Sequence, residues 1–132
     1  VIKRMDTNGG STATLYTNLN NPYYMQTFNL TDYFSERNSA SIKSKYYSFI
    51  THSTVTNNLG IFVDVKGFDI DSNGNIYAAD YGSNTIQKTH PSGAQNIIAS
   101  GLNKPSCVAI DNLHNYLYVA DTENSNTIIK SN

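Results

Sequence analysis

The sequence predicts an all-β protein made of about three consecutive four-stranded antiparallel sheets, each roughly 42 residues long. Three observations predict it. Ile2, Ile42, Ile86 and Ile128 recur 40, 44 and 42 residues apart, each in a similar context. Between them, short runs of apolar or β-branched residues are bounded by Asn, Gly, Asp and Pro, which is the texture of short strands joined by tight turns. No segment sustains the apolar period of about 3.6 residues that a helix needs.

The elements follow in order. Val1-Ile2-Lys3-Arg4, the turn Asp6-Thr7-Asn8-Gly9-Gly10 and Leu19-Asn20-Asn21-Pro22 repeat Thr85-Ile86-Gln87-Lys88, His90-Pro91-Ser92-Gly93 and Leu102-Asn103-Lys104-Pro105. The first residues therefore read as the second half of a unit. A degenerate unit follows. In it Tyr33-Phe34-Ser35-Glu36 stands where Tyr77-Ala78-Ala79-Asp80 stands later, and Ser41-Ile42-Lys43-Ser44 stands where Thr85 to Lys88 does. Asn29 to Arg37 lacks a glycine hairpin, and over residues 29–66 spacing alone supports a sheet.

The next unit is the most regular. Its strand a covers about Gly67 to Ile70 and strand b Ile76 to Ala79, joined through Asn73-Gly74, two residues that tolerate the positive φ of a tight hairpin. Strand c starts near Ile86 and strand d covers about Ala94 to Ala99, after a turn at Ser92-Gly93. The last unit repeats this one, with Ala109 to Asp121 matching Asp69 to Asp80 and Asn126-Thr127-Ile128-Ile129-Lys130 matching Asn84-Thr85-Ile86-Gln87-Lys88. Pro22 and Pro105 open strand a, where a missing N–H costs little. Strand b is apolar without alternation in Ile76-Tyr77-Ala78-Ala79 and Leu117-Tyr118-Val119-Ala120, so both faces of each sheet should be covered. Sheets covered on both faces, one after another, are the blades of a β-propeller. The expectation is a single segment over residues 1–132, with blade boundaries near 22, 65 and 105 and an incomplete ring.

Asp71-Ser72-Asn73-Gly74-Asn75-Ile76-Tyr77-Ala78-Ala79-Asp80, followed by Asn84-Thr85-Ile86-Gln87-Lys88, resembles the unit of the NHL-repeat β-propeller family. The likeness continues from Asp111 to Lys130, is partial over residues 1–28 and rests on spacing over 29–66. The resemblance implies a propeller that is usually six-bladed. About three blades would leave uncovered sheet faces and open strand edges. A partner must cover them: the remainder of a longer propeller, a second copy closing the ring, or an open-ended stack. The start at Val1 fits a processed or truncated product.

Composition excludes several function classes. The chain has 9 Lys and Arg against 10 Asp and Glu, so nothing attracts a phosphate backbone, and no nucleic acid partner is expected. Arg4, Lys88 and Lys130 recur at one blade position, and Lys43 with Lys45 forms a small cluster; these read as solvated outer-strand residues. No apolar run approaches the roughly 20 residues of a membrane span, and the N-terminus lacks a signal-peptide profile. Cys107, the one cysteine, excludes an intrachain disulfide and leaves the redox compartment open.

Candidate chemistry is sparse. Asp80 and Asp121 close strand b, where a carboxylate can accept N–H groups of the following loop. Together with Asp71 and Asp111 they recur by blade, as does Glu36 at the strand-b end. Recurrence assigns these acids to turn structure rather than to metal binding or acid–base work. Asp71 to Asn75 superficially resembles the start of an EF-hand loop, but Gly82 stands where the twelfth-position glutamate belongs. His52, His90 and His114 read as turn histidines, with His90 and His114 expected at opposite ends of the blades. Some propellers similar to the NHL type are lactonases or lyases with an axial polar cluster. Here the starts of strand a, Pro22-Tyr23, Val65-Lys66 and Pro105-Ser106, bring only Asp64 as an oxygen ligand. No catalytic, cofactor or metal residues are assigned, and no cofactor is expected. Asn29-Leu30-Thr31 is a candidate N-glycosylation sequon, conditional on secretion.

The functional expectation is a non-enzymatic propeller segment for protein binding or assembly, recognising its partner through loops at one end. The alternatives are a fragment of a propeller hydrolase or lyase whose active site lies on other blades, or a structural subunit of an extracellular fibre or particle. Low charge and open strand edges tilt the reading towards an extracellular place.

Overall fold

A computed structural model describes residues 2–5, 7–10, 12–36, 40–48, 53–123 and 127–131. The described residues form strands and turns without a helix. β1 (Ile2–Met5) pairs with β2 (Thr12–Tyr16). β3 (Pro22–Phe28), β4 (Thr31–Glu36), β5 (Ile42–Ser48) and β6 (Ser53–Leu59) form a four-stranded sheet in chain order. β7 (Val65–Ile70), β8 (Ile76–Asp80), β9 (Thr85–Thr89) and β10 (Gln95–Ala99) form another. β11 (Pro105–Asp111), β12 (Tyr116–Asp121) and β13 (Thr127–Ser131) form a three-stranded sheet. Every neighbouring pair is antiparallel, as short turns demand.

The repeated isoleucines occupy matching places. Ile42, Ile86 and Ile128 lie on the third strand of their sheets, opposite Ser35, Ala79 and Ala120, each one residue before the acid that closes the second strand. The described residues between 29 and 60, supported in sequence by spacing alone, thus place β4, β5 and β6 in one four-stranded sheet with β3.

The hairpins differ in how they turn. Asn29 and Leu30 adopt φ of 46° and 59° between the paired residues Phe28 and Thr31, so a two-residue turn closes without glycine. Between β7 and β8 the turn is longer. There Gly74 alone takes positive φ, 81°, which corrects the expectation that both Asn73 and Gly74 would do so. The Asp71 carboxylate replaces the tight turn by accepting the N–H groups of Asn73 and Asn75 at 2.9 and 2.8 Å.

Antiparallel order puts the turns after the first and third strands of a sheet at the same end. A Cβ on Gly74, in the first turn, would sit 3.5 Å from the Pro91 ring in the second. His90 and His114 therefore lie at one end of successive sheets, not at opposite ends as the sequence reading had it. His52 lies outside the described residues.

The core sits between sheets rather than within one. Ile42, Phe62, Val65, Phe68, Ile70, Ile76 and Ala78 form one cluster, with Tyr24, Phe28, Tyr33 and Leu59 packed against it. Ala79, Ile86, Val108, Leu117 and Val119 form the next. Ile76 and Ala78 thus serve one interface while Ala79, with Tyr77, serves the other, which is why β8 has no polar face. Burying each such Val, Leu, Ile or Phe stabilises by about 1.5–3 kcal/mol. Phe34 is fully buried and stacks on Tyr16 with centroids 6.1 Å apart, joining β2 to β4.

The inner strands approach closely. A Cβ on Gly67 would fall 2.9 Å from the Ser106 carbonyl oxygen, so β7 and β11 can meet only through glycine. Asp69 on β7 links both flanking sheets, accepting Gln26 Nε2 at 2.7 Å and the Ile110 N–H at 2.8 Å.

Candidate functional site

The loops that lead into the first strands are held by the acids that end the second strands. Asp80, fully buried, accepts the N–H groups of Val63 and Asp64 at 2.9 and 2.8 Å, and Gln87 Nε2 at 3.0 Å. Asp121 accepts the Asn103 N–H at 2.7 Å. Glu36 accepts the Asn20 N–H at 3.0 Å and pairs with Lys43. In all three cases the held loop precedes the sheet, whereas the sequence reading placed it after the acid. A negative charge buried this way is stabilised by several charge-assisted hydrogen bonds, and it fixes the backbone on which neighbouring side chains stand.

Four side chains gather at that end. Lys66 Nζ lies over the rings of Tyr23 and Tyr81, 5.3 and 5.1 Å from their centroids. Lys104 Nζ lies 4.8 Å from the Tyr81 centroid. Lys66 also pairs with Asp64 at 2.9 Å and is 13% exposed. No carboxylate pairs with Lys104 among the described residues. Its position is set instead by the backbone: Lys104 takes φ of 63°, its N–H donates to Asn84 Oδ1 at 3.1 Å, and its carbonyl accepts Thr122 Oγ1 at 2.6 Å. Two ammonium groups over one ring, one of them without an anion, form a cationic aromatic patch. Each cation–ring contact is worth about 0.5–2 kcal/mol depending on desolvation. The patch offers hydrogen-bond donors and a ring face.

The other sequence-assigned residues stand elsewhere. Asp71 and Asp111 cap the turns at the opposite end. Burial pushes the Asp71 carboxyl up, but hydrogen bonds from the Asn75 side chain and backbone, Asn73 and Tyr77 outweigh it and hold the group below its ordinary value. At Asp111 the His114 ring, 2.7 Å away, lowers the carboxyl with help from the N–H groups of His114 and Leu113. Asn29 is exposed at the tip of its hairpin. Among the described residues no three of His, Cys, Asp and Glu gather as a metal site.

Sequence reasoning set Tyr23 and Lys66 at the starts of strand a with Asp64 beside them, and the structure has them there in β3 and β7, but it passed over Tyr81 and Lys104. A signal was available. At the position after the strand-b acid the chain has Arg37, Tyr81 and Thr122, and before the first strand it has Asn21, Asp64 and Lys104. Recurring residues build the scaffold, and the residues that vary on it make each site particular.

No family model matches the chain, and no curated protein matches it. Solved structures do. The chain is similar to an auxiliary nutrient binding protein from Bacteroides thetaiotaomicron, with a TM-score of 0.76 at 15% identity over 97% of this chain and 42% of that one. It is similar to virginiamycin B lyase from Staphylococcus aureus, with a TM-score of 0.66 at 14% identity over 97% of this chain and 47% of the lyase. A luciferin-regenerating enzyme matches with a TM-score of 0.69 at 15% identity over 93% of this chain and 45% of that one. The fold is that of propeller-type proteins. The chain spans less than half the length of each.

Proposed function

We propose that the chain is a segment of an NHL-type β-propeller, with blade boundaries near residues 22, 65 and 105, and that it works as a non-enzymatic binding module. Its binding face is the end carrying Tyr23, Lys66, Tyr81 and Lys104, and its ligand presents an anionic group to Lys104 and a flat face to Tyr81. The observation that carries this reading is the Lys104 ammonium, without a carboxylate partner among the described residues, over Tyr81 at 4.8 Å from the ring centroid, on a loop tethered by half-buried Asp121. Asp80 and Glu36 are engaged by loop N–H groups and Lys43, which gives them a structural task. The similarity to a nutrient binding protein supports a binding role at the level of the fold.

The remainder of the ring would come from further blades of a longer chain or from a second copy completing the three-stranded sheet at β13. Extracellular assembly, with a glycan on exposed Asn29, belongs to the same reading.

Benzoate, a planar carboxylate, tests the face. It should shift the amide resonances of residues 81–84, Asn103, Lys104 and Ser106 saturably, and Lys104→Gln should remove the effect. Absence of a saturable shift would refute the reading. A second reading, a propeller hydrolase or lyase whose active site lies on other blades, draws support from the lyase and the luciferin-regenerating enzyme among the similar structures. A stoichiometric divalent ion in the full-length parent protein would favour it.

A further inference from the structure

The loop from Ile61 to Asp64, which leads into β7 beside Tyr81, displays apolar side chains that its backbone cannot withdraw. Each of its N–H groups has a partner. Ile61 donates to Gln95 Oε1 at 3.0 Å, Phe62 to the Ala40 carbonyl at 2.8 Å, and Val63 and Asp64 to the Asp80 carboxylate at 2.9 and 2.8 Å. Phe62 is buried in the core between sheets, while its neighbours Ile61 and Val63 are 80% and 65% exposed. A loop free to move would turn such groups inward. This one holds them in water, as a surface organised in advance for an apolar partner does.

Position ties Val63 to the face that carries Tyr81 and Lys104. A Cβ on Gly82 would fall 2.6 Å from Val63 Cγ1, so the Val63 side chain rests on Gly82, the residue after Tyr81, and no side chain stands between them. The Tyr81 N–H donates to the Asp64 carbonyl at 3.0 Å, and on the other flank the Lys104 N–H donates to Asn84 Oδ1 at 3.1 Å. Val63 and Lys104 therefore flank one short loop, residues 81–84. Charge narrows the choice. Of the two ammonium groups over Tyr81, Lys66 is paired with Asp64, and no carboxylate pairs with Lys104 among the described residues. The face thus matches a single negative charge with an apolar flank.

We propose, resting on the reading of the Lys104 face as a binding site, that its ligand is an amphipathic monocarboxylate: the carboxylate meets Lys104, the flat part lies on Tyr81, and an alkyl chain crosses Gly82 to cover Val63. A small hydrophilic anion would leave Val63 in water; an alkyl-aromatic acid covers it.

The experiment compares benzoate with 4-butylbenzoate by amide NMR titration of the full chain. 4-Butylbenzoate should bind at least about tenfold more tightly, since a butyl chain covered on one side gains about that much from apolar burial. It should also shift the Val63 amide, which benzoate leaves in place. Val63→Ser, at an exposed position, should lower the ratio of the two affinities at least about threefold. Leu113→Ser removes a leucine that is 83% exposed at the far end of the blades and should leave that ratio unchanged. Benzoate binding that the butyl chain does not tighten, a ratio that survives Val63→Ser, or one that Leu113→Ser lowers as much overturns the proposal and leaves the Lys104 face standing. If neither compound gives a saturable shift, the face and its ligand class fall together.

Discussion

The sheet from Pro22 to Leu59 and the sheet from Val65 to Ala99 have the same strand order and the same antiparallel pairing, yet their sequences share little beyond spacing. The second turns through Asp71 and Gly74, the first through Asn29 and Leu30. The second closes its strand b with Asp80, bonded to two loop N–H groups, and the first with Glu36, bonded to one and to Lys43. What the two keep in common is a fully buried isoleucine on the third strand, Ile42 in one and Ile86 in the other. The blade thus tolerates different turn chemistry so long as its stacking face is apolar and its loop is tethered.

Substitutions break or sharpen that comparison. The largest difference should come from the tethers. Asp80→Ala strands two backbone donors and Gln87 and should cost about 3 kcal/mol, against about 2 kcal/mol for Glu36→Ala, read by urea unfolding. Equal losses would mean the two loops are held alike. At the shared position, Ile42→Val and Ile86→Val should each cost about 1 kcal/mol. A much smaller loss at Ile42 would show that the first sheet stacks less closely than the second.

The turns should respond in opposite directions. Gly74→Ala places a side chain at positive φ and should destabilise by about 1 kcal/mol, whereas Leu30→Gly relieves that strain and should stabilise by up to about 1 kcal/mol, visible as shifts in melting temperature. The smallest effect is on pH dependence. The folded Asp71 carboxyl lies below its ordinary value, so its stabilisation is present above that value and is lost as pH falls through the folded one. Melting temperature should therefore drop more steeply below about pH 4 in the parent than in Asp71→Asn. The Asn29-Leu30 turn has no acid to titrate, so Asn29→Ser should leave that slope unchanged.

Much of the fold was legible because a blade repeats what it needs. Ile86, Asp80 and Gly74 announce strand, tether and turn in sequence, and matching positions extend the pattern into the degenerate sheet. The turn at Asn29-Leu30 was not legible, since a leucine at φ 59° contradicts its own propensity and is held there by the flanking strand pairing. The candidate face was half legible. Tyr23 and Lys66 stand at the expected strand starts, but Tyr81 and Lys104 are 23 residues apart in sequence, and nothing local ties one to the other.

The sequence by itself determined the all-β class, the spacing of the sheets and the positions that face the core, because strand alternation, turn residues and the apolar repeat act over a few residues at a time. Only the tertiary structure decided which loop each buried acid holds and that Lys66 and Lys104 share one ring. Those features depend on how successive sheets stack, and stacking is set by packing between residues far apart along the chain.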